Sequence, residues 1–399
     1  MRRIYDDVLR DHFSKNRQML FLSGPRQVGK TTTSLQAGTP ESYLNWDNHL
    51  DRAIILGGSE TVMKHIGGEK LKSHKHTLVF DEIHKYPHWK RFLKGFFDVY
   101  ERETQIIVTG SARLDVYKRG GDSLMGRYFL YRIHPLSVRE IIDPTFVEQE
   151  IRPPTPIKDE DWNTLLKFGG FPEPYLQRNT RFWTQWKKLR IEQLFKEDLR
   201  DLSRIQELGQ IRLLADLLAE QAGKLVEYTN LANKVQVTSP TVQRWIKTLS
   251  SLYYCFTLQP WSKNIGRSLL KQPKVFLWDW SLVDDLGARH ENLVASHLLK
   301  ATQFWNDAGL GDYGLYFIRD KEKREVDFLV TKNKKPWFLV EVKSSSHAGI
   351  SPSLYRFQQE TKAPHAFQVC FDLPYVSRDC FEETRPIIVP ARTFLSQLI

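Results

Sequence analysis

Short apolar runs alternate with helical patterns over the first 110 residues. Residues 18–23 (QMLFLS), 77–83 (TLVFDEI) and 104–110 (TQIIVTG) have the length and apolar character of buried strands. Between the last two runs, residues 88–101 (HWKRFLKGFFDVYE) repeat aromatic and aliphatic side chains at helical spacing. Strands that alternate with helices predict a parallel sheet with helices on both faces.

The pattern changes after residue 144. A segment rich in proline and charge runs to residue 161, and an almost continuous helical pattern with a GGFPEP turn follows it to residue 221. Two helices and an apolar run (YYCFTLQPW) occupy residues 224–261, and mixed strands and helices return from residue 263. We therefore predict four segments: an α/β domain over 1–150, a helical lid or linker over 151–222, a winged helix-turn-helix over 223–262 and a second α/β domain over 263–399.

Composition indicates a soluble protein of several domains. Of 399 residues, 41% are hydrophobic and 26% are charged, which is typical of globular chains. The chain contains neither an apolar run of 18 residues nor a secretory leader pattern at its start, so we expect no membrane association. The three cysteines, Cys255, Cys370 and Cys380, lack metal-ligand spacing and cannot all pair, which favours a reducing cytoplasm.

The net charge of +11 points to polyanionic partners. Basic proteins bind nucleic acids through counterion release, so DNA is the first partner to consider. A basic surface without such a partner remains an alternative.

A phosphate-binding motif lies at the first strand-to-helix turn. Residues 24–31 read GPRQVGKT, which fits the pattern G-x-x-x-x-G-K-[ST]. The glycines let backbone N–H groups approach phosphate oxygens, Lys30 reaches the terminal phosphates, and the Thr31 hydroxyl is a magnesium ligand. The predicted nucleotide contacts are Gly24, Pro25, Arg26, Gln27, Val28, Gly29, Lys30, Thr31 and Thr32.

An acidic pair follows on a later strand. Asp81 is placed to hold magnesium, directly or through water, and Glu82 is a candidate to orient or deprotonate the attacking water. Thr109 and Ser111, in VTGSAR, are candidates to contact the water or the γ-phosphate, although a plain polar loop explains them equally well. Arg127 is a candidate charge-stabilising arginine, within the chain or toward a neighbouring subunit, with an exposed salt bridge as the alternative.

These motifs occur together with HPLSVREI, SLMGR and GGFPEP, and the set resembles the predicted prokaryotic AAA-superfamily ATPases that carry a C-terminal domain of unknown function. Ala112 stands where that family commonly has a serine. The resemblance implies an AAA-type P-loop fold that uses ATP with magnesium.

The middle segment suggests a DNA-binding helix. Ser239 is predicted to cap a helix that begins with Pro240, and the strand pair after it completes a winged helix-turn-helix pattern. Gln243, Arg244 and Lys247 would then face a major groove. Winged helices also act as lids and dimer contacts, so that alternative stays open.

Two strands near the C-terminus carry a further acidic pattern. REVDFLV and FLVEVKSS form a predicted hairpin in which Asp327 approaches Glu341, and Lys343 lies on the same strand face as Glu341. Glu291 opens a predicted helix and adds a third carboxylate. Three carboxylates suit a divalent metal, and the lysine can activate water.

This arrangement resembles the restriction-endonuclease-like fold, in which Asp327, Glu341 and Lys343 match the core motif and Glu291 matches the helical acid. Val326 replaces the proline of that motif. The resemblance implies a magnesium-dependent phosphodiesterase site, although such folds also serve as binding modules.

Two functional hypotheses follow. The first is an ATPase that couples hydrolysis to DNA binding or processing. The second is a nucleotide-gated scaffold with an inactive nuclease-like domain. The sequence leaves open whether the chain acts alone, as a homo-oligomer or with a protein partner.

Overall fold

The chain forms two compact units. The computed structural model describes residues 1–37, 42–68, 74–110, 124–199, 207–262 and 272–399. The first unit comprises Met1–His134 and Pro144–Val147, and the second comprises Pro135–Asp143 and Glu148–Ile399. The boundaries of the four predicted segments stay predictions.

The first unit is built on a parallel sheet. Its five described strands lie in the order β2-β3-β4-β1-β5, and every neighbouring pair is parallel. All five residues of β1 are buried, which requires cover on both faces of the sheet. The predicted α/β fold with a parallel sheet is confirmed. The strands are β1 (Met19–Ser23), β2 (Tyr43–Asn45), β3 (His76–Asp81), β4 (Thr104–Thr109) and β5 (Tyr128–Arg132).

Amphipathic helices supply this cover. One such helix is Trp89–Tyr100, whose buried side chains recur at helical spacing. Its Phe96 lies edge to face with Phe80 of β3, with ring centroids 5.8 Å apart. The helices are α1 (Ile4–Lys15), α2 (Lys30–Ala37), α3 (His49–Leu56), α4 (Ser59–His65) and α5 (Trp89–Tyr100).

The second unit begins with a largely helical region. Its core gathers apolar side chains from several helices and from a two-stranded antiparallel sheet. The helices are α6 (Val138–Ile142), α7 (Asp159–Phe168), α8 (Pro172–Gln177), α9 (Thr180–Gln193), α10 (Leu208–Glu220), α11 (Tyr228–Val235) and α12 (Ser239–Ser251), a π-helical turn follows α9 at Leu194–Asp198, and the strands are β6 (Cys255–Leu258) and β7 (Lys274–Leu277).

The predicted cap of α12 is wrong by one residue. Thr238, not Ser239, precedes the helix, and its hydroxyl accepts a hydrogen bond from the backbone N–H of Thr241. Thr238 has an extended backbone, which is the geometry that a capping residue needs. Pro240 lies in the first turn, where its missing N–H costs no helical hydrogen bond.

A long helix and a second sheet complete the second unit. The described strands lie in the order β12-β11-β10-β9-β8, with β8, β9 and β10 antiparallel and β10, β11 and β12 parallel. No helix among the described ranges is long and apolar enough to cross a membrane. The elements are α13 (Leu286–Asp307), β8 (Tyr313–Arg319), β9 (Glu325–Lys332), β10 (Lys335–Lys343), α14 (Pro352–Thr361), β11 (His365–Cys370), β12 (Ile387–Pro390) and α15 (Ala391–Ser396).

Local chemistry fixes two details of this region. Asn333 and Lys334 both have positive φ (51° and 65°), as a two-residue hairpin turn requires, so the predicted hairpin is present. The prediction that Glu291 opens its helix is wrong, because α13 begins five residues earlier. The Asp285 carboxylate accepts a hydrogen bond from the N–H of Ala288 (2.8 Å) and caps the helix there.

Candidate nucleotide site and acidic cluster

The phosphate loop joins β1 to the N-terminus of α2. Gly24 has φ 153°, and a Cβ there would lie 2.3 Å from the carbonyl oxygen of Ile133, so only glycine fits this close approach. Gly29 has φ 102°, and Gln27 also has a positive φ (61°). A loop of this kind at a helix N-terminus presents N–H groups to an anion.

The Arg3 side chain holds the phosphate loop through hydrogen bonds to backbone carbonyl groups. This side chain is buried, and its guanidinium donates hydrogen bonds to the carbonyl oxygens of Val28 (2.5 Å) and His134 (2.7 Å). Arg3 is also the N-cap residue of α1, and its backbone N–H donates a hydrogen bond to the Asp6 carboxylate (2.9 Å). The N-terminal helix therefore fixes the carbonyl that precedes Gly29.

The Lys30 side chain contacts the backbone of the phosphate loop. Its ammonium donates to the carbonyl oxygens of Gly24 (2.9 Å) and Pro25 (2.7 Å), and the side chain is buried. These acceptors are neutral, so phosphate oxygens would replace them with a stronger, charge-assisted interaction.

Asp81 collects hydroxyl groups from three elements. Its Oδ2 accepts from Thr31 at the start of α2 (3.1 Å) and from Tyr43 on β2 (2.5 Å), and its Oδ1 accepts from Thr109 at the end of β4. Because β4 lies between β1 and β3, Thr109 falls between the phosphate loop and the acidic pair. Burial and the neighbouring Asp81 raise the pKa of the Tyr43 hydroxyl, so Tyr43 stays protonated and donates.

Glu82 follows Asp81 in an unusual conformation. Its φ of 55° is left-handed, and its N–H donates to the Thr109 carbonyl (3.0 Å). Burial raises the pKa of the Glu82 carboxyl, while Lys85, 3.4 Å away, opposes that shift. A strained backbone beside a buried acid is typical of a functional position.

Arg127 lies at the other end of the sheet. The Arg127 carbonyl accepts a hydrogen bond from the N–H of Met19, the first residue of β1. The phosphate loop follows Ser23, the last residue of β1, which lies roughly 13 Å from Met19 along the strand. The Arg127 guanidinium pairs with Asp98 (2.7 Å). The structure therefore does not bring Arg127 to the phosphate loop, and its charge-stabilising role, within the chain or toward a neighbouring subunit, stays a prediction. Ser111 lies outside the described residues.

The exposed face of α12 carries the predicted nucleic-acid contacts. Gln243, Arg244 and Lys247 are exposed, while Trp245 and Ile246 are buried in the core of the helical region. Arg244 lies 3.7 Å from Glu207, a long ion pair. The three polar side chains are therefore presented to solvent on one helix.

A lysine lies among the carboxylates of the second unit. The ammonium of Lys274 on β7 is 2.6 Å from Glu325, 3.0 Å from Glu291 and 3.4 Å from Asp327. We call these three carboxylates the acidic cluster. The Lys274 side chain is only 4% exposed, whereas its three carboxylate partners are 15–21% exposed, so the ammonium itself is largely shielded from water.

The remaining predicted residues lie beside the acidic cluster. Lys343 donates to Oε1 of Glu341 (2.7 Å), and Asp327 accepts from the N–H of Val342 (2.9 Å). The other oxygen of Glu341, Oε2, is buried without a hydrogen-bond partner among the described residues, and burial raises the pKa of this carboxyl to about 7. Within the same ranges, no group of three histidine, cysteine or acidic side chains is arranged to hold a metal ion. A metal-binding role for Glu291, Asp327 and Glu341 stays a prediction.

The sequence analysis missed Arg3, Tyr43 and Lys274. Each reaches its site from a distant part of the chain, so no local motif marks it. An arginine before a helix, a tyrosine in a short strand and a lysine in an apolar strand all have ordinary explanations. Of the three, only Lys274 left a usable signal, because a charged residue at the start of the buried strand KVFL needs an ionic partner.

Family models match three parts of the chain. Residues 16–142 match an AAA domain, which confirms the prediction of an AAA-type domain in the N-terminal part. Residues 159–292 match a domain of unknown function (DUF8612), and residues 286–381 match another (DUF4143). These two matches give no support to a winged-helix or nuclease-like assignment.

Individual proteins resemble the chain more distantly. An uncharacterised protein of Mycobacterium bovis is 25% identical over 345 residues, which cover 84% of this chain and 72% of that protein. One from Methanocaldococcus jannaschii is 26% identical over 272 residues, 65% of this chain and 59% of that protein. Among solved structures, the Walker-type ATPase of Pyrococcus abyssi is 14% identical over 71% of this chain and 94% of its own, with a TM-score of 0.38, too low to establish a shared function.

Proposed function

We propose that this protein hydrolyses ATP with magnesium at the phosphate loop of its AAA-type domain, and that hydrolysis is coupled to DNA binding. One observation carries the ATPase proposal: the Thr31 hydroxyl and the Asp81 carboxylate lie 3.1 Å apart beside a glycine loop that contains a buried lysine. A nucleotide triphosphate and its metal ion need those groups together.

The residues present fit both cofactors. The hydroxyl and carboxylate of Thr31 and Asp81 are hard oxygen ligands that suit magnesium, either directly or through water. The α2 N-terminus and Lys30 would hold the phosphates, and bound magnesium would neutralise charge on the transferring phosphoryl group. Tyr43 and Thr109 keep the Asp81 carboxylate oriented through hydrogen bonds.

Glu82 is the proposed water-positioning residue. It directly follows the magnesium ligand Asp81, and the hydrogen bond from its N–H to Thr109 fixes its backbone. A carboxylate in this position orients the attacking water and accepts its proton. The raised pKa of Glu82 makes it a stronger base than an exposed glutamate.

ATP turnover tests this proposal. We expect magnesium-dependent phosphate release by the wild type and loss of release by Glu82→Gln, which should still bind ATP. Glu60→Gln, an exposed acid on α4, is the matched control and should hydrolyse ATP normally. Equal turnover by Glu82→Gln and wild type would contradict the role of Glu82.

DNA coupling is supported by the order of elements after residue 207. Three helices, α10 to α12, are followed by the antiparallel pair β6 and β7, and Leu225 bridges to Lys274 of β7. This order fits a winged helix-turn-helix, with α12 as the helix that enters the major groove. The exposed Gln243, Arg244 and Lys247 would then meet DNA.

Salt dependence tests the DNA proposal. Duplex DNA should bind the wild type with an affinity that falls steeply as salt rises, and should stimulate ATP turnover. The double variant Arg244→Ala/Lys247→Ala should bind about tenfold more weakly and with a smaller salt slope. Lys188→Ala on α9 is the control. Absence of binding at low salt would instead favour a nucleotide-gated interaction protein.

The last domain is proposed to have a nuclease-like fold. The order α13-β8-β9-β10-α14-β11 places a helical acid before a mixed sheet, and Asp327, Glu341 and Lys343 lie on its neighbouring strands β9 and β10. These features support the fold, whereas cleavage would also need a metal ion at the carboxylates.

A further inference from the structure

The acidic cluster differs from a metal site in what lies at its centre. Three carboxylates from two elements, α13 and β9, converge on the ammonium of Lys274, at distances between 2.6 and 3.4 Å. Such distances are those of ammonium–carboxylate hydrogen bonds. The carboxylates are therefore arranged around a lysine.

The backbone pairing of β7 places Lys274 at the acidic cluster. β7 pairs with β6 on one side and bridges to Leu225 on the other, so the strand cannot shift without breaking backbone hydrogen bonds. Val275 is fully buried next to it. Lys274 thus belongs to the helical region, while two of its three partners lie on β9.

The charge balance also indicates that Lys274, and not a metal ion, is the cation of the acidic cluster. Around the acidic cluster, four carboxylates face three cations, because Arg319 pairs with Glu325 (2.8 Å) and Lys343 pairs with Glu341 (2.7 Å). A divalent ion added to this set would make it net positive even if all four carboxylates were ionised. Moving Lys274 out would leave the partly buried carboxylates of the cluster without their shared cation, which is strongly unfavourable.

We propose that Lys274 is the permanent cation of the acidic cluster, that it excludes divalent metal ions, and that the C-terminal domain therefore does not cleave phosphodiesters. Lys274 also links β7, which follows the proposed DNA-binding helix, to the sheet that carries the cluster. In this account the C-terminal domain is a structural partner of the winged-helix region. The inference holds or fails independently of ATP hydrolysis.

One feature favours the opposite result. Oε2 of Glu341 is buried without a hydrogen-bond partner among the described residues, and an orphaned carboxylate oxygen can receive a cation. A metal ion shared by Glu341 and Asp327, beside Lys274, is therefore the competing arrangement, and metal binding by the intact chain separates the two.

The test measures Mn²⁺ bound by the full chain without nucleotide, by electron paramagnetic resonance of the free ion. The wild type should bind no stoichiometric Mn²⁺ that depends on Asp327. Lys274→Met should gain one Mn²⁺ per chain, and Lys274→Met/Asp327→Asn should lose it again. Lys224→Met is the matched control, because Lys224 is an exposed lysine that lines the same open cleft as Lys274, and it should behave as wild type.

Three results would overturn the proposal. The first is one Mn²⁺ per wild-type chain that Asp327→Asn or Glu341→Gln abolishes, and this result needs no Lys274 variant to fold. The second is a folded Lys274→Met chain that gains no Mn²⁺, since Lys274 would then not be what excludes the metal. Magnesium- or manganese-dependent cleavage of plasmid DNA by the wild type, lost in Asp327→Asn, would contradict the inference in the same way.

Discussion

The phosphate loop and the acidic cluster each contain a buried lysine, but the two lysines have different partners. Lys30 donates to the carbonyl oxygens of its own glycine-containing loop. Lys274 donates to carboxylates that come from a helix and a strand. Neutral acceptors are exchanged for phosphate at little cost, whereas charged acceptors in a shielded site hold their cation.

The difference in partners supports our proposal that the phosphate loop is a ligand site and the acidic cluster a structural ion-pair network. Near Lys30, groups that suit a metal and a nucleotide converge, and the backbone is strained at Glu82. Near Lys274, protein cations already offset most of the carboxylate charge. The basic side chains that lie among clustered acids therefore have to be counted before a metal site is assigned to them.

The largest expected effect comes from removing Lys30. Lys30→Ala should lower ATP turnover by roughly a thousandfold, because it removes a fixed positive charge that acts on the transferring phosphoryl group. Phosphate release measures the effect. Arg127→Ala, at the opposite end of the sheet, should turn over ATP at the wild-type rate when the chain is dilute. Wild-type turnover by Lys30→Ala would refute the site assignment.

Removing Lys274 should destabilise the second unit. Lys274→Met leaves three carboxylates without their shared cation, and we expect a loss of about 3 kcal/mol, the lower end for breaking a buried pair. Hydrogen exchange of the β9 and β10 amides measures it locally. Lys224→Met should leave protection unchanged. If both variants exchange like the wild type, Lys274 is not a structural cation.

Removing Arg3 should weaken the phosphate loop less severely. Arg3→Ala loses two charge-assisted hydrogen bonds to carbonyl oxygens, and kcat/KM for ATP should fall about tenfold. The change should lie mainly in KM, with partial recovery in Arg3→Lys. Arg2→Ala serves as control, because Arg2 pairs with Asp7 at an exposed position. An unchanged KM would show that Arg3 supports the fold but not the loop.

The smallest expected effect is a shift in the pH dependence of ATP turnover. Glu82 must be ionised to orient water, and burial raises the pKa of its carboxyl in the folded protein. ATP turnover should therefore be lost as the pH falls through this raised pKa, which is above the pKa of an ordinary glutamate. Lys85 lowers the pKa of Glu82, so Lys85→Ala should move this acid limb to higher pH. Lys90→Ala, outside the site, should leave the limb in place. A limb that stays fixed in Lys85→Ala would exclude Glu82 as the titrating group.

Local motifs account for what the sequence could predict. The phosphate loop, Asp81 and the β9–β10 hairpin follow from short spacings that dictate their own geometry, and the structure brings Thr31, Asp81 and Thr109 together. What the sequence could not show depends on contacts between distant segments. Arg3 reaches Val28, and Lys274 reaches Asp327, across 25 and 53 positions of the chain.

The most direct test of the contrast between the two lysines counts metal ions per chain with and without nucleotide. We predict no stoichiometric Mn²⁺ on the wild-type chain alone, and one Mn²⁺ per chain once a non-hydrolysable ATP analogue is added, lost in Thr31→Ala and unaffected by Asp327→Asn. Two ions per chain with the analogue, or one ion without it that Asp327→Asn removes, would contradict the account.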